Sequence, residues 1–105
     1  MPELNKIIHE RSRLLILTHL ATYRDIEVSF NDIREKLDFT PGNLSIQLKK
    51  LNEAEYVSIT KSFRDNKPHT AVSITTKGIK ALNNYLEEME DLIKGLRGGE
   101  RAGTD

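Results

Sequence analysis

From Thr40 to Lys50 the chain reads Thr-Pro-Gly-Asn-Leu-Ser-Ile-Gln-Leu-Lys-Lys, and its polar members are carboxamides, hydroxyls and two cations. The Asn43 and Gln47 amides can each give and take a hydrogen bond at once, which suits the adenine edge in a major groove. Lys49 and Lys50 supply donors for guanine or for phosphate oxygens, and Ile46 offers an apolar surface to a thymine methyl. Further along, Arg64 and Lys67 flank Asp65-Asn66 in a second cationic segment. These groups suit the gripping of a polyanion rather than bond making. The chain has no cysteine nucleophile, no glycine-rich phosphate loop, and no spacing that brings His together with Ser or a carboxylate.

Local patterning says what must position them. Thr40 caps a helix over about 41–54, with Pro41 in its first turn, where a missing N–H costs nothing. At roughly 100° per residue, Leu48 and Leu51 fall within about 40° of Leu44, a core-facing stripe. Gly42, Asn43, Ile46, Lys49 and Lys50 then project from the other side, with Ser45 and Gln47 on the flanks. Tyr56 to Phe63 switches to period two, with Val57, Ile59 and Phe63 on the inner side. Residues 64–68 break that pattern, and His69 to Ile74 resumes it with Val72 and Ile74 inward, giving a hairpin whose basic tip spans about 63–69.

Upstream, Leu4, Ile7, Ile8, Leu14, Leu17, Leu20 and Ala21 keep helical spacing with a break near Glu10 to Ser12, so this region is one long helix or two short ones. Glu27-Val28-Ser29 suggests a short strand. Ser29 and Asp32 then open a helix ending near Asp38, with Phe30, Ile33 and Leu37 on one face. Thr75 caps a closing helix over about 75–96. The expected fold is mainly α with a small antiparallel sheet, one domain over residues 1–96, followed by a disordered tail at 97–105.

Composition narrows the classes. The 105 residues are 37% hydrophobic and 30% charged with no cysteine, which excludes a disulfide framework and thiolate metal sites. No stretch approaches the roughly 18 apolar residues of a spanning helix, and the start lacks the layout of a secretory signal, so a cytoplasmic location without a membrane partner is expected. The net charge of zero conceals a separation. Between residues 40 and 80, seven cations face three anions, whereas residues 81–96 hold four acidic residues against Lys94 alone. Each singled-out residue also has an ordinary explanation. Ile46 fits a scattered surface hydrophobe, Arg64 and Lys67 fit a solvated turn, and His9, His19 and His69 are too isolated in sequence to suggest a metal.

In the closing helix, Ile79, Leu82, Leu86, Met89, Ile93 and Leu96 are spaced 3, 4, 3, 4 and 3 apart, a heptad seam that Tyr85 and Leu92 widen. Packing on the chain's own domain explains part of such a stripe. Its length points to a homodimer, which would set two copies of helix 41–54 in successive major grooves about 34 Å apart over a roughly palindromic site.

Over about residues 9–90 the chain resembles the small winged-helix transcriptional regulators related to the MarR and ArsR groups. The resemblance is carried by Ser12-Arg13-Leu14-Leu15-Ile16-Leu17 in the first helix, Phe39 to Leu51 as recognition helix, Tyr56 through Pro68 as wing, and Ile74-Thr75-Thr76-Lys77-Gly78 at the entry to the closing helix. It implies a winged helix-turn-helix that meets DNA through Thr40, Asn43, Ser45, Gln47 and Lys49 and through wing residues Arg64 and Lys67, and a dimer formed by the terminal helices. Many relatives place glycine where Glu55 stands. The cysteine motif of the metal sensors is absent, so no metal or other cofactor is expected. The combined expectation is a non-catalytic, dimeric repressor of double-stranded DNA, with room for an unidentified small-molecule effector between the dimer helices. The alternative is a winged helix whose 42–50 face binds another protein.

Overall fold

The computed structural model describes residues 4–104, with side chains through Gly98. Its elements run α1 (Arg11–Thr22), β1 (Val28–Ser29), α2 (Phe30–Lys36), α3 (Pro41–Glu53), β2 (Val57–Arg64), β3 (Lys67–Ile74) and α4 (Thr76–Thr104). The antiparallel sheet has the order β1-β3-β2. Helices and sheet enclose one core built from Ile8, Ile16, Leu17, Leu20, Ile33, Leu44, Leu51, Val57 and Val72, each at most 2% exposed.

Side-chain caps decide where the helices begin. Glu10 accepts from the N–H groups of Ser12 (3.2 Å) and Arg13 (3.0 Å), so α1 starts at Arg11. Asn5 Oδ1 takes the N–H groups of Ile7 and Ile8, folding the preceding segment into a turn that seats Ile8 in the core. The open choice between one and two N-terminal helices thus resolves as one helix and a turn. Burial pushes the Glu10 carboxyl up, but the Arg13 and Ser12 hydrogen bonds and the Arg13 charge outweigh it and hold it below its ordinary value. Ser29 caps α2 through the Asp32 N–H at 3.1 Å, and Thr40 caps α3 through the Asn43 N–H at 3.2 Å. Each cap contributes about 1 kcal/mol.

Both internal helices end in left-handed residues that are not glycine. Asp38 has φ 56° and lets the Phe39 N–H reach the Arg34 carbonyl. Glu55 has φ 65°, with Tyr56 N–H bonded to Leu51 and Glu55 N–H to Asn52, both at 2.9 Å. This double-bonded close is the geometry in which glycine is favoured. Glutamate tolerates it because the Thr75 hydroxyl donates to the Glu55 carbonyl at 2.7 Å and accepts from the Gly78 N–H at 2.9 Å, locking the end of α3 to the start of α4. At that junction a Cβ on Gly78 would run into the Tyr56 carbonyl oxygen.

The structure departs from the sequence expectation in three places. The hairpin turn is only Asp65-Asn66, at φ 51° and 62°, with Arg64 opposite Lys67. Two left-handed residues in a two-residue turn match the twist of the flanking strands, so the expected 64–68 loop contracts. Pro68 therefore lies within β3, opposite Phe63, at a non-hydrogen-bonded pair where its missing N–H breaks no rung to β2. Phe63, expected inward, is 76% exposed because the hairpin projects past the body of the domain. Finally, α4 continues beyond Leu96 to Thr104 through the segment expected as a tail. Glycines there weaken the helix by about 1 kcal/mol each, yet no proline stops it.

His19 on α1 packs its ring 5.2 Å from that of Tyr23, and its Nε2 is buried without a partner among the described residues. Burial, reinforced by Lys36 against a smaller opposing effect of Asp32, holds the imidazole below its ordinary value.

Glu55→Gly should raise unfolding free energy by about 0.5 to 1 kcal/mol by removing left-handed strain, while Gly78→Ala should lower it by about 1 to 3 kcal/mol. Urea denaturation measures both, and an unchanged midpoint for Glu55→Gly would contradict the strain. Because the depressed imidazole binds protons more weakly in the folded state, its stabilising contribution is complete above about pH 6.5 and declines as pH falls through and below that value. Thermal melts at pH 7.5 and 5.5 should show a larger drop for the native chain than for His19→Leu.

Candidate nucleic-acid interface

The placement of α3 follows from its burial. Leu44 and Leu51 are fully buried and Leu48 is 3% exposed, so the opposite face must turn to solvent. Thr40, Gly42, Asn43, Ser45, Ile46, Lys49 and Lys50 are all exposed, Ile46 at 55%. Gln47 is half-buried and engaged inside the protein. Its Oε1 accepts from Arg13 Nη1 at 2.8 Å and its Nε2 donates to Asn43 Oδ1 at 3.1 Å. The free Gln47 carboxamide expected from sequence is therefore committed at both ends.

The wing stands beside this face. Arg64 and Lys67 are exposed and directly cross-strand, on the opposite side of the hairpin from Phe63 and Pro68. Between α3 and the wing stem lies an open cleft of about 460 Å³ lined by Ser45, Leu48, Lys49, Ile59, Lys61 and Thr70, together with Phe30. Lys49 and Lys61 thus face one cleft from two elements. None of Lys49, Lys50, Lys61, Arg64 and Lys67 has a carboxylate within ion-pair reach among the described residues. An unpaired cationic face of this kind keeps its full attraction for an anionic polymer.

Two participants escape a reading of the sequence alone. Lys61 shares the strand side of Ile59 and Phe63, so periodicity places it inward; only the projection of the hairpin past the core frees it. Arg13 shares the α1 face of Ile16, Leu17 and Leu20 and is 9% exposed. A cation on an apolar stripe was the available signal. Its Nε donates to the Ile7 carbonyl at 2.5 Å, and Glu10 Oε2 lies 3.8 Å from Nη1.

The heptad positions of α4 divide in two. Leu82 is 4% exposed and joins Tyr85 in the domain's own core, with Ile79 and Met89 packed against it. Leu86, Ile93 and Leu96 are 39, 43 and 69% exposed. The seam expected as a single dimer surface is partly an internal contact, because the first turns of α4 lie on the domain and the later ones extend away from it. His9 bonds to the Tyr85 hydroxyl at 2.8 Å. Among the described residues no group of three His, Cys, Asp or Glu side chains is placed to hold a metal ion, and no helix is long and apolar enough to cross a membrane.

A helix-turn-helix with its second helix outward, followed by a basic two-stranded wing and closed by a long helix, defines a winged-helix nucleic-acid-binding domain. The chain belongs to the winged helix DNA-binding domain family, whose family model matches residues 12–93. It is 38% identical over 91 residues to an uncharacterized protein of Methanocaldococcus jannaschii, covering 87% of this chain and 97% of that one. The structure of a transcriptional regulator homologue from Pyrococcus horikoshii OT3 is similar at 32% identity and a TM-score of 0.79, over 86% of this chain and 87% of that one. The MepR–DNA complex of S. aureus shares the fold, with a TM-score of 0.66 at 19% identity over 85% of this chain and 64% of that one. The fold is thus a DNA-binding one rather than an enzyme scaffold.

Proposed function

We propose that the chain is a dimeric transcriptional repressor that reads double-stranded DNA with α3 and grips the flanking backbone with the wing. The observation that carries this reading is the set of five cations, Lys49 and Lys50 on the outward face of α3, Lys61 on the cleft side of β2, and Arg64 and Lys67 at the hairpin tip, none paired with a carboxylate among the described residues. Thr40, Asn43, Ser45 and Ile46 lie among them, so the N-terminal half of α3 supplies short polar groups and one apolar group to a major groove. Arg64 and Lys67, at the end of a hairpin that projects from the domain, reach the adjacent minor groove or phosphates. The similar Pyrococcus protein, described as a transcriptional regulator homologue, supports the regulatory role.

Dimerisation rests on α4. Its 29 residues span about 43 Å, and the molecule is 67 Å in its longest dimension against 25 and 22 Å in the others. Leu86, Ile93 and Leu96 lie along the distal part at spacings 7 and 3, an apolar seam without cover in the single chain. A second copy laid on that seam buries it and pairs two DNA-reading faces by a two-fold axis, which selects a roughly palindromic operator.

Binding of duplex DNA should weaken steeply between 50 and 200 mM salt, and Arg64→Ala or Lys67→Ala should each reduce the salt slope by about one phosphate contact. Affinity that is constant over that salt range would instead indicate a protein partner for the same face. Leu86→Glu combined with Ile93→Glu should yield a folded monomer in sedimentation equilibrium with weakened operator binding; a persistent dimer would place the interface elsewhere.

A further inference from the structure

Arg13 does not face the expected DNA surface, yet it is joined to it by two hydrogen bonds in series. Its side chain is 11% exposed, and Nη1 donates to Gln47 Oε1 at 2.8 Å. Gln47 Nε2 donates in turn to Asn43 Oδ1 at 3.1 Å, and Asn43 is exposed. Guanidinium groups only donate, whereas a carboxamide carries an acceptor at one end and donors at the other. An arginine at the inner end therefore dictates the direction of every amide beyond it. Gln47 must turn its oxygen inward and its nitrogen outward, and Asn43 must spend one of the two lone pairs of Oδ1 on Gln47, which ties Oδ1 back along the helix and leaves Nδ2 as the atom turned outward. The Ile7 carbonyl holds Nε, and Glu10 lies 3.8 Å from the same Nη1 that donates to Gln47, so the anchor itself has little freedom to rotate.

We infer that Arg13 is a positioning residue for sequence specificity: through Gln47 it polarises Asn43 so that the reading face offers donors and selects guanine over adenine. An asparagine free to turn pairs with adenine by donating to N7 and accepting from N6, which requires Oδ1 to be available in the plane of the base. Guanine presents two acceptors, N7 and O6, and demands donors alone. By holding Oδ1 toward Gln47, the relay thus turns Asn43 away from the adenine pairing it favours as an isolated side chain and toward donation. This inference rests on the DNA-binding reading of the α3 face, and its test separates the two.

Selection from a randomised duplex library with the purified full chain supplies the binding site, and competition binding then measures the ratio of guanine to adenine affinity at each position. The wild-type chain is expected to prefer guanine at a position whose preference is lost in Asn43→Ala. Arg13→Met, which removes the donor and lets the amides turn, should reduce that guanine to adenine ratio about tenfold with an unchanged salt slope. Arg13→Lys, which keeps a donor-only terminus, should retain it. Because Arg13 is buried and its loss can impair folding, Gln47→Glu provides a second route: the carboxylate still accepts from Arg13 but cannot donate to Asn43, and the same collapse of the ratio is expected. Adenine preference at the Asn43-dependent position of the wild type, or a ratio that survives both Arg13→Met and Gln47→Glu, overturns the relay while leaving DNA binding intact. A wild-type chain that selects no sequence and binds no duplex overturns the relay together with the reading beneath it.

Discussion

Three leucines on one helix set the orientation on which the rest of the molecule depends. Leu44, Leu48 and Leu51 fix α3 against α1 and the sheet, and fully burying each contributes about 1.5 to 3 kcal/mol. Rotating the helix by even half a turn would expose this stripe and bury lysines, so the outward set is determined by what cannot be outward. The caps at Thr40 and the left-handed close at Glu55 settle where the rod starts and stops. Specific chemistry on α3 is thereby a by-product of nonspecific burial behind it.

Electrostatics then divides the molecule by element. Among the described residues the cations of α3 and the wing have no carboxylate within ion-pair reach, whereas Glu87, Glu88, Glu90 and Asp91 follow one another along α4. An anionic polymer is drawn to the first region and repelled by the second, which leaves the distal part of α4 for contacts of a different kind. A formal charge of zero for the whole chain is compatible with this because attraction acts over about a Debye length, not over the average of the molecule.

What was legible in the sequence was what a few adjacent residues decide among themselves. Ser29, Thr40 and Thr75 announce helix starts because each cap is closed within three residues, and the leucine stripe and strand alternation report burial through simple periods. The winged-helix order of elements followed from those signals, and the family match agrees with it. Contacts made across the fold were not legible. The bond between Arg13 and Gln47 joins residues 34 apart, so Gln47 read as a free amide when it is held at both ends. Phe63 was misjudged, and Lys61 was not singled out, because alternation tells which side a residue takes and not whether the core still extends beneath it. Leu82 read as part of an outward seam because a heptad stripe does not show how far the domain's own core reaches along it.

The sheet has one further property, set by its unequal strands. β1 is two residues long and pairs only with Ala71 and Val72, so the stretch of β3 from Lys67 to Thr70 has an uncovered flank pointing away from β2. Such a flank is a template on which another extended chain can polymerise. Pro68 sits in that stretch with no hydrogen to offer, next to a charged lysine, and interrupts the ladder a stranger would need. Crowded copies that each present this edge thus lack the unbroken ladder on which a fibril grows.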